Sequence, residues 1–188
     1  MLLRAAFDEI YRCGFQAASL SSMLGSTGLT KGAVYHYFPN KLAMGYAVVD
    51  EIIRDWVLSQ WLEPLETIDN PIDALQKPIR DIDDSMSDRL LNFGCPLNNL
   101  AQEMSSIDEG FRQRLEEIFR DWRALIRRAL ERGKRKGYVR WEINSRQVAA
   151  MLVGALEGCT GMAKNARDIE LLLQCRCELI RYLENLRC

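Results

Sequence analysis

Tyr35, His36 and Tyr37 stand side by side near the start of the chain, and His36 is the one histidine among 188 residues. General acid–base or nucleophilic catalysis needs a base within reach of a nucleophile, or carboxylates at a usable spacing. The other groups that could take part, Cys95 and Glu157, lie far from His36 in the sequence, and there is no glycine-rich phosphate loop. A small helical enzyme built on Glu157, Cys95 and His36 is thus the weaker reading. The stretch from Ser19 to Lys41, SLSSMLGSTGLTKGAVYHYFPNK, is instead rich in hydrogen-bond donors. Ser21, Thr30 and Tyr35 supply hydroxyls, His36 an imidazole, and Lys31 and Lys41 ammonium groups. Such donors suit phosphate oxygens and base edges.

The same stretch has the pattern of two helices crossing at a glycine turn. Leu20, Met23 and Leu24 give one apolar face, Leu29 and Val34 the other, and Gly28 allows the sharp turn. The second helix opens on Thr30, Lys31, Gly32 and Ala33, which are small or hydrogen-bonding, so its backbone can approach a major groove closely. Tyr35, His36 and Tyr37 are consecutive and cannot share one face of a helix, so at least one points outward.

Here the sequence resembles the TetR family of transcription regulators. The family pattern of a turn followed by Ser-Lys-Gly-Thr-Leu-Tyr-His-Tyr-Phe-Pro-Ser-Lys stands in this chain as Thr27-Gly28-Leu29 and then TKGAVYHYFPNK over Thr30–Lys41. The resemblance covers about residues 2–48. It implies that Thr30, Lys31, Gly32 and Ala33 face the groove, that Ser21, Tyr35, His36 and Lys41 contact phosphates, and that Phe38 anchors the core. Two positions depart from the pattern: Ala18 replaces a usual Thr, and Leu24 a usual Ala.

The elements that must carry this head are helical throughout. Apolar residues recur at three- and four-residue spacing and strand alternation is not sustained. Helices are expected over Leu2–Cys13, Leu20–Ser26 and Lys31–Tyr37. A long one should run from Lys41 through Trp61 until Pro64, and another over Ile72–Leu91, kinked by Pro78. A short helix should reach Ser105, and a long amphipathic one should open at Ser106–Glu109 and be terminated by Gly133 and Gly137. Two more are expected over Ser145–Lys164 and Asp168–Leu186. The fold class is all-α, with about nine helices: a three-helix head over 1–48 and a larger ligand-binding and dimerisation bundle over 49–188.

Bulk composition fits this division. The chain is 48% hydrophobic and 27% charged, as expected of a globular protein with a real core. Residues 1–48 carry four Lys/Arg against two Asp/Glu, a net of +2, and the remainder is −3, giving −1 overall. Contact with phosphates would therefore be local. Of the six cysteines, Cys175 and Cys177 form a CxC pair with no second pair or histidine cluster beside it, so no metal and no cofactor is expected, and reduced thiols in a cytoplasmic protein are the simplest reading. No apolar run is long enough to span a membrane. Met1 falls inside an amphipathic pattern, so a short leader is expected to precede it.

The resemblance further implies a homodimer formed through the last two helices, operator DNA as partner, and an unknown small-molecule effector that releases the DNA. Pocket candidates are residues too large or too polar for a plain core: Trp56, Trp61, Phe93, Asn98, Met104, Phe119, Trp122 and Glu157. Glu157 stands alone in an apolar run, where a carboxylate is costly unless partnered. Gly94–Ser105, GCPLNNLAQEMS, resembles a signature in a subset of such sensor domains, some of which use a cysteine here to sense electrophiles or oxidants. Cys95 is thus a candidate sensor thiol, or else a small buried hydrophobe. A dimeric interaction protein with a vestigial head is a further alternative, disfavoured by the intact motif.

Overall fold

The computed structural model describes residues 1–25, Gly32, 36–81 and 84–188, with backbone alone for Asp84 and Ser85. Helices follow one another: α1 Leu2–Cys13, α2 Leu20–Gly25, α3 Lys41–Ala47, a π-helical segment Val48–Ile53, α4 Arg54–Thr67, α5 Pro71–Arg80, α6 Asp84–Phe93, α7 Pro96–Met104, α8 Glu109–Arg135, α9 Ser145–Ala166 and α10 Ile169–Glu184. The expected all-α class holds. Among the described residues the one β element is an isolated bridge between Val139 and Arg187. The chain forms two compact units, residues 1–56 with 96–118, and residues 57–95 with 119–188.

In the first unit, α1 buries Ala6, Phe7, Ile10 and Tyr11, four residues at the spacing of one helical face. It stops because Gly14 adopts φ +85°, a conformation that costs glycine little. The Ser19 hydroxyl accepts the amide of Ser22 (3.0 Å) at the start of α2, as expected of a cap. Asn40 does the same for α3, accepting from the Ala43 amide at 2.8 Å. Gly45 of α3 lies against the rings of Phe15 and Phe111, which themselves meet edge to face at 4.7 Å. The Asp108 carboxylate accepts the Phe111 amide (2.8 Å) and the Tyr46 hydroxyl (2.7 Å), joining the start of α8 to α3.

In the second unit, α5 begins with Pro71 behind the Asn70 cap, where a missing N–H costs nothing. Gln76 on α5 is 1% exposed, and its Nε2 donates to the Ile180 carbonyl (3.2 Å) and to Glu184 Oε1 (2.8 Å) of α10. Asn144 caps α9 and Asp168 caps α10, and Arg167 takes a left-handed conformation between them.

Four expectations about the helices need correction. Pro64 does not stop its helix, which continues to Thr67. Proline removes one intrahelical donor, but Pro64 is buried with Val57, Trp61 and Leu65 and that packing offsets the loss. The helix expected over 72–91 is two, α5 and α6, and α5 ends two residues after Pro78. Gly133 lies inside α8, where it serves close packing: a Cβ there would come within 2.4 Å of Pro71 Cγ and 2.7 Å of Val139 Cγ2. The run from Lys41 contains the π-helical segment, which apolar spacing gave no reason to expect.

Candidate nucleic-acid interface and sensor body

The expected groove- and phosphate-facing residues divide sharply. Thr30, Lys31, Ala33 and Tyr35 lie outside the described residues. Gly32, Ser21 and His36 are exposed. His36 meets Tyr37 edge to face at 5.4 Å, and Tyr37 is 72% exposed, so both rings present to solvent. Phe38, expected as a core anchor, is only half-buried. Lys41 has an internal role: its Nζ donates to the Gln16 carbonyl (3.0 Å) and stands 4.7 Å over the Phe15 ring. Ala18, one of the two departures from the family pattern, is 3% exposed, and Leu24 is also buried, so both sit in the head's core.

A second group holds the same turn, and no local pattern pointed to it. Glu103 of α7 accepts the backbone amides of Phe15 and Gln16, each at 2.8 Å, one on each carboxylate oxygen. Those amides follow the end of α1 directly. The turn that leads from α1 to α2 is therefore gripped from both sides, by a carboxylate on its N–H groups and by an ammonium on its carbonyl. Charge-assisted bonds of this kind are about twice as strong as neutral ones.

The candidate effector residues also divide. Trp56, Asn98 and Met104 belong to the first unit, and Trp61, Phe93, Phe119, Trp122 and Glu157 to the second. Within the second unit, Trp61 and Trp122 are in contact, their rings 5.4 Å apart and tilted by 46°. Trp122 is 4% exposed and its indole N–H has no acceptor among the described residues. Glu157 is 8% exposed, and its Oε2 likewise lacks a partner among the described residues. Burial pushes the Glu157 carboxyl up to about 7, against the opposing effect of a hydrogen bond from the Cys95 thiol. Two of the expected body residues are thus brought together as a thiol–carboxyl pair, and both are buried.

Cys95 immediately precedes Pro96, the first residue of α7, and is itself 8% exposed. None of the six cysteines is in a disulfide, and Cys177 and Cys188 are exposed. Burial, reinforced by the neighbouring Cys175, pushes the Cys159 thiol up to about 12. Maleimide at pH 7.5 should accordingly label Cys177 and Cys188 at least tenfold faster than Cys95 and Cys159, as read by mass spectrometry of tryptic peptides. Equal labelling rates would show that Cys95 is open to reagent.

The outward faces of α9 and α10 carry exposed apolar residues and, on α9, open glycines. Met151, Met162, Ile169 and Leu173 are all more than a third exposed, and Cβ atoms added at Gly154, Gly158 or Gly161 would meet nothing. On the same two helices, Val148, Leu152, Leu172 and Leu183 are buried within the chain.

Comparison with known proteins decides the family. Residues 71–178 match the family described as tetracyclin repressor-like, C-terminal domain, and residues 2–47 match the tetR family of bacterial regulatory proteins. The chain belongs to the TetR family. It is 31% identical over 120 residues to an HTH-type transcriptional regulator in the lacX 3′ region of Lactococcus lactis subsp. lactis, covering 64% of this chain and 61% of that protein. The match therefore spans less than two thirds of the length of that TetR-type relative. It is 24% identical over 166 residues to the HTH-type transcriptional repressor DhaR of a Mycobacterium species, covering 86% and 79%. A TetR transcriptional regulator from Chloroflexus aurantiacus shares its fold, with a TM-score of 0.86 at 22% identity over 99% of this chain and 93% of that one. Among the described residues, no helix is long and apolar enough to cross a membrane.

Proposed function

We propose that this protein is a DNA-binding transcription regulator that grips a palindromic operator as a homodimer and releases it when a small molecule enters the body, most simply as a repressor. The observation that carries the reading is the match of residues 2–47 to the tetR family, over a head whose Ser21, Gly32 and His36 are exposed. In this reading residues 1–48 contact DNA, with Thr30, Lys31, Gly32 and Ala33 toward the bases and Ser21, Tyr35, His36 and Lys41 toward phosphates. Residues 49–188 sense and dimerise. The outward faces of α9 and α10 join the two copies, since small outward residues such as Gly154, Gly158 and Gly161 let helices approach closely. The repressor DhaR supports the sign of the response by likeness alone.

Fluorescence anisotropy with duplexes from the DNA upstream of the gene tests this. Binding should weaken steeply with salt, because phosphate contacts release counterions. Lys31→Ala and Tyr35→Ala should each weaken it by roughly 10- to 100-fold, corresponding to about 1–3 kcal/mol per specific contact. Unchanged affinity in both variants would remove the head from the mechanism.

A second reading, regulation through Cys95, is favoured by its hydrogen bond to a carboxyl that sits near neutrality. If Cys95→Ser keeps both its operator affinity and its full response to oxidants, that reading fails and the effector reading stands.

A further inference from the structure

Between α8 and α9, within the second unit, lies a cleft of about 470 Å³ whose charged lining is entirely arginine. Arg120, Arg123 and Arg127 come from α8 at positions i, i+3 and i+7, the spacing of one helical face. Arg146 faces them from the first turn of α9. Ala124, Ala149 and Ala150 supply the rest of the lining, so the cleft is walled by guanidinium groups on a floor of methyl groups. Arg120 also meets Asp121, but only at 4.0 Å, the outer limit of such a contact.

Three physical features converge on an anion. Like charges gathered in one cleft repel, and a bound oxyanion turns that repulsion into attraction. Arginine presents a planar fork of donors that matches carboxylate and phosphate oxygens two at a time, and it keeps its charge at any physiological pH. The amino-terminal end of α9, a 22-residue helix, adds its positive dipole beside Arg146. The small floor leaves the volume open where longer side chains would fill it. A monovalent anion would leave most of the donors unused, whereas two or three linked oxyanion groups would engage arginines of both helices.

We propose that this cleft binds a small multivalent oxyanion, a phosphorylated or polycarboxylate metabolite, at a site built from neither the head's residues nor the Glu157–Cys95 pair. The site does not depend on the operator-binding reading and is tested without DNA.

The experiment is calorimetric titration of the full chain with inorganic pyrophosphate and, separately, with citrate, at 0.15 M NaCl. Saturable binding of one anion per chain is expected. The double variant Arg127→Ala/Arg146→Ala should weaken it at least tenfold, and Arg127→Lys/Arg146→Lys by several-fold, since the charge remains but the fork is lost. Arg128→Ala, an exposed neighbour on α8 that does not line the cleft, should stay within twofold. Which of the two probes binds more tightly separates phosphate from carboxylate as the preferred chemistry. The proposal is overturned if neither anion gives saturable heat, or if Arg128→Ala weakens binding as much as the double variant. It is also overturned if the double variant changes the oligomeric mass by light scattering, which would make the cleft part of a contact between copies.

Discussion

Glu157→Gln should flatten the pH dependence of this protein's stability and make it more stable than the parent at pH 8. The Glu157 carboxyl is held at about 7 in the folded chain, against 4.5 in the absence of structure, chiefly because burial penalises its charged form. A folded-state value above the unfolded one means that the folded state holds the proton more tightly. The stabilisation this gives is complete below about pH 4.5 and is lost as pH rises through 7. Each tenfold difference in proton affinity between the folded and unfolded chain is worth about 1.4 kcal/mol, so the loss is about 3 kcal/mol by pH 8. Glutamine fills the same volume, cannot ionise, and can still meet the Cys95 thiol. Urea unfolding at fixed protein concentration, repeated from pH 4.5 to 8, should show the difference between variant and parent moving by about that amount in favour of the variant. Parallel profiles would mean that Glu157 reaches water or a cation in solution. A ligand that donates a hydrogen bond or a positive charge to the unpartnered Oε2 should restore the parent's stability at high pH and leave the variant unmoved.

Gly45→Ala should destabilise the first unit by about 1–3 kcal/mol, the usual range for an extra methyl group forced into a packed core. The new Cβ would stand 2.5 Å from Phe15 Cε2 and 2.8 Å from Phe111 Cζ, and both atoms belong to aromatic rings in contact with each other. Neither ring can swing aside freely. Phe15 is covered by Lys41 on one side, and Phe111 is 0% exposed and also meets Tyr46 at 5.1 Å. Alanine is the better helix former by up to about 1 kcal/mol, so the packing penalty has to exceed that gain to be seen. Thermal unfolding by circular dichroism measures the balance. A variant as stable as the parent would show that the rings have room to part.

The sequence disclosed the head's local elements and concealed what ties them together. α1 was legible to the residue, because Phe7, Ile10 and Tyr11 mark one face and Gly14 can end it. The Ser19 cap was legible for the same local reason. The Glu103 clamp on Phe15 and Gln16 was not, because its partners are 87 and 88 residues apart and nothing in either neighbourhood refers to the other. Lys41 looked like a phosphate ligand by position and motif, yet it also has a carbonyl and a ring of its own chain to bind. In the body, Glu157 stood out because a lone carboxylate in an apolar run has to be explained. The large aromatics chosen by size alone fell on both sides of a division that size cannot reveal. The π-helical segment escaped for a different reason: Val48, Val49 and Ile53, all buried, satisfy an α-helical pattern equally well.

The grip of Glu103 on the turn after α1 also bears on the order in which the chain can fold during synthesis. The first compact unit takes in residues 96–118 as well as 1–56. A ribosome adding about 5–20 residues each second would release residue 56 several seconds before residue 118. During that interval Phe15 lacks Phe111, and the amides of Phe15 and Gln16 have no carboxylate to bind. The contacts that complete the head can form only when a later segment arrives. Fragments cut at residue 48 or 56 would capture that unfinished state, whereas a fragment meant to fold by itself would need residues 96–118 supplied in trans or spliced on through a linker.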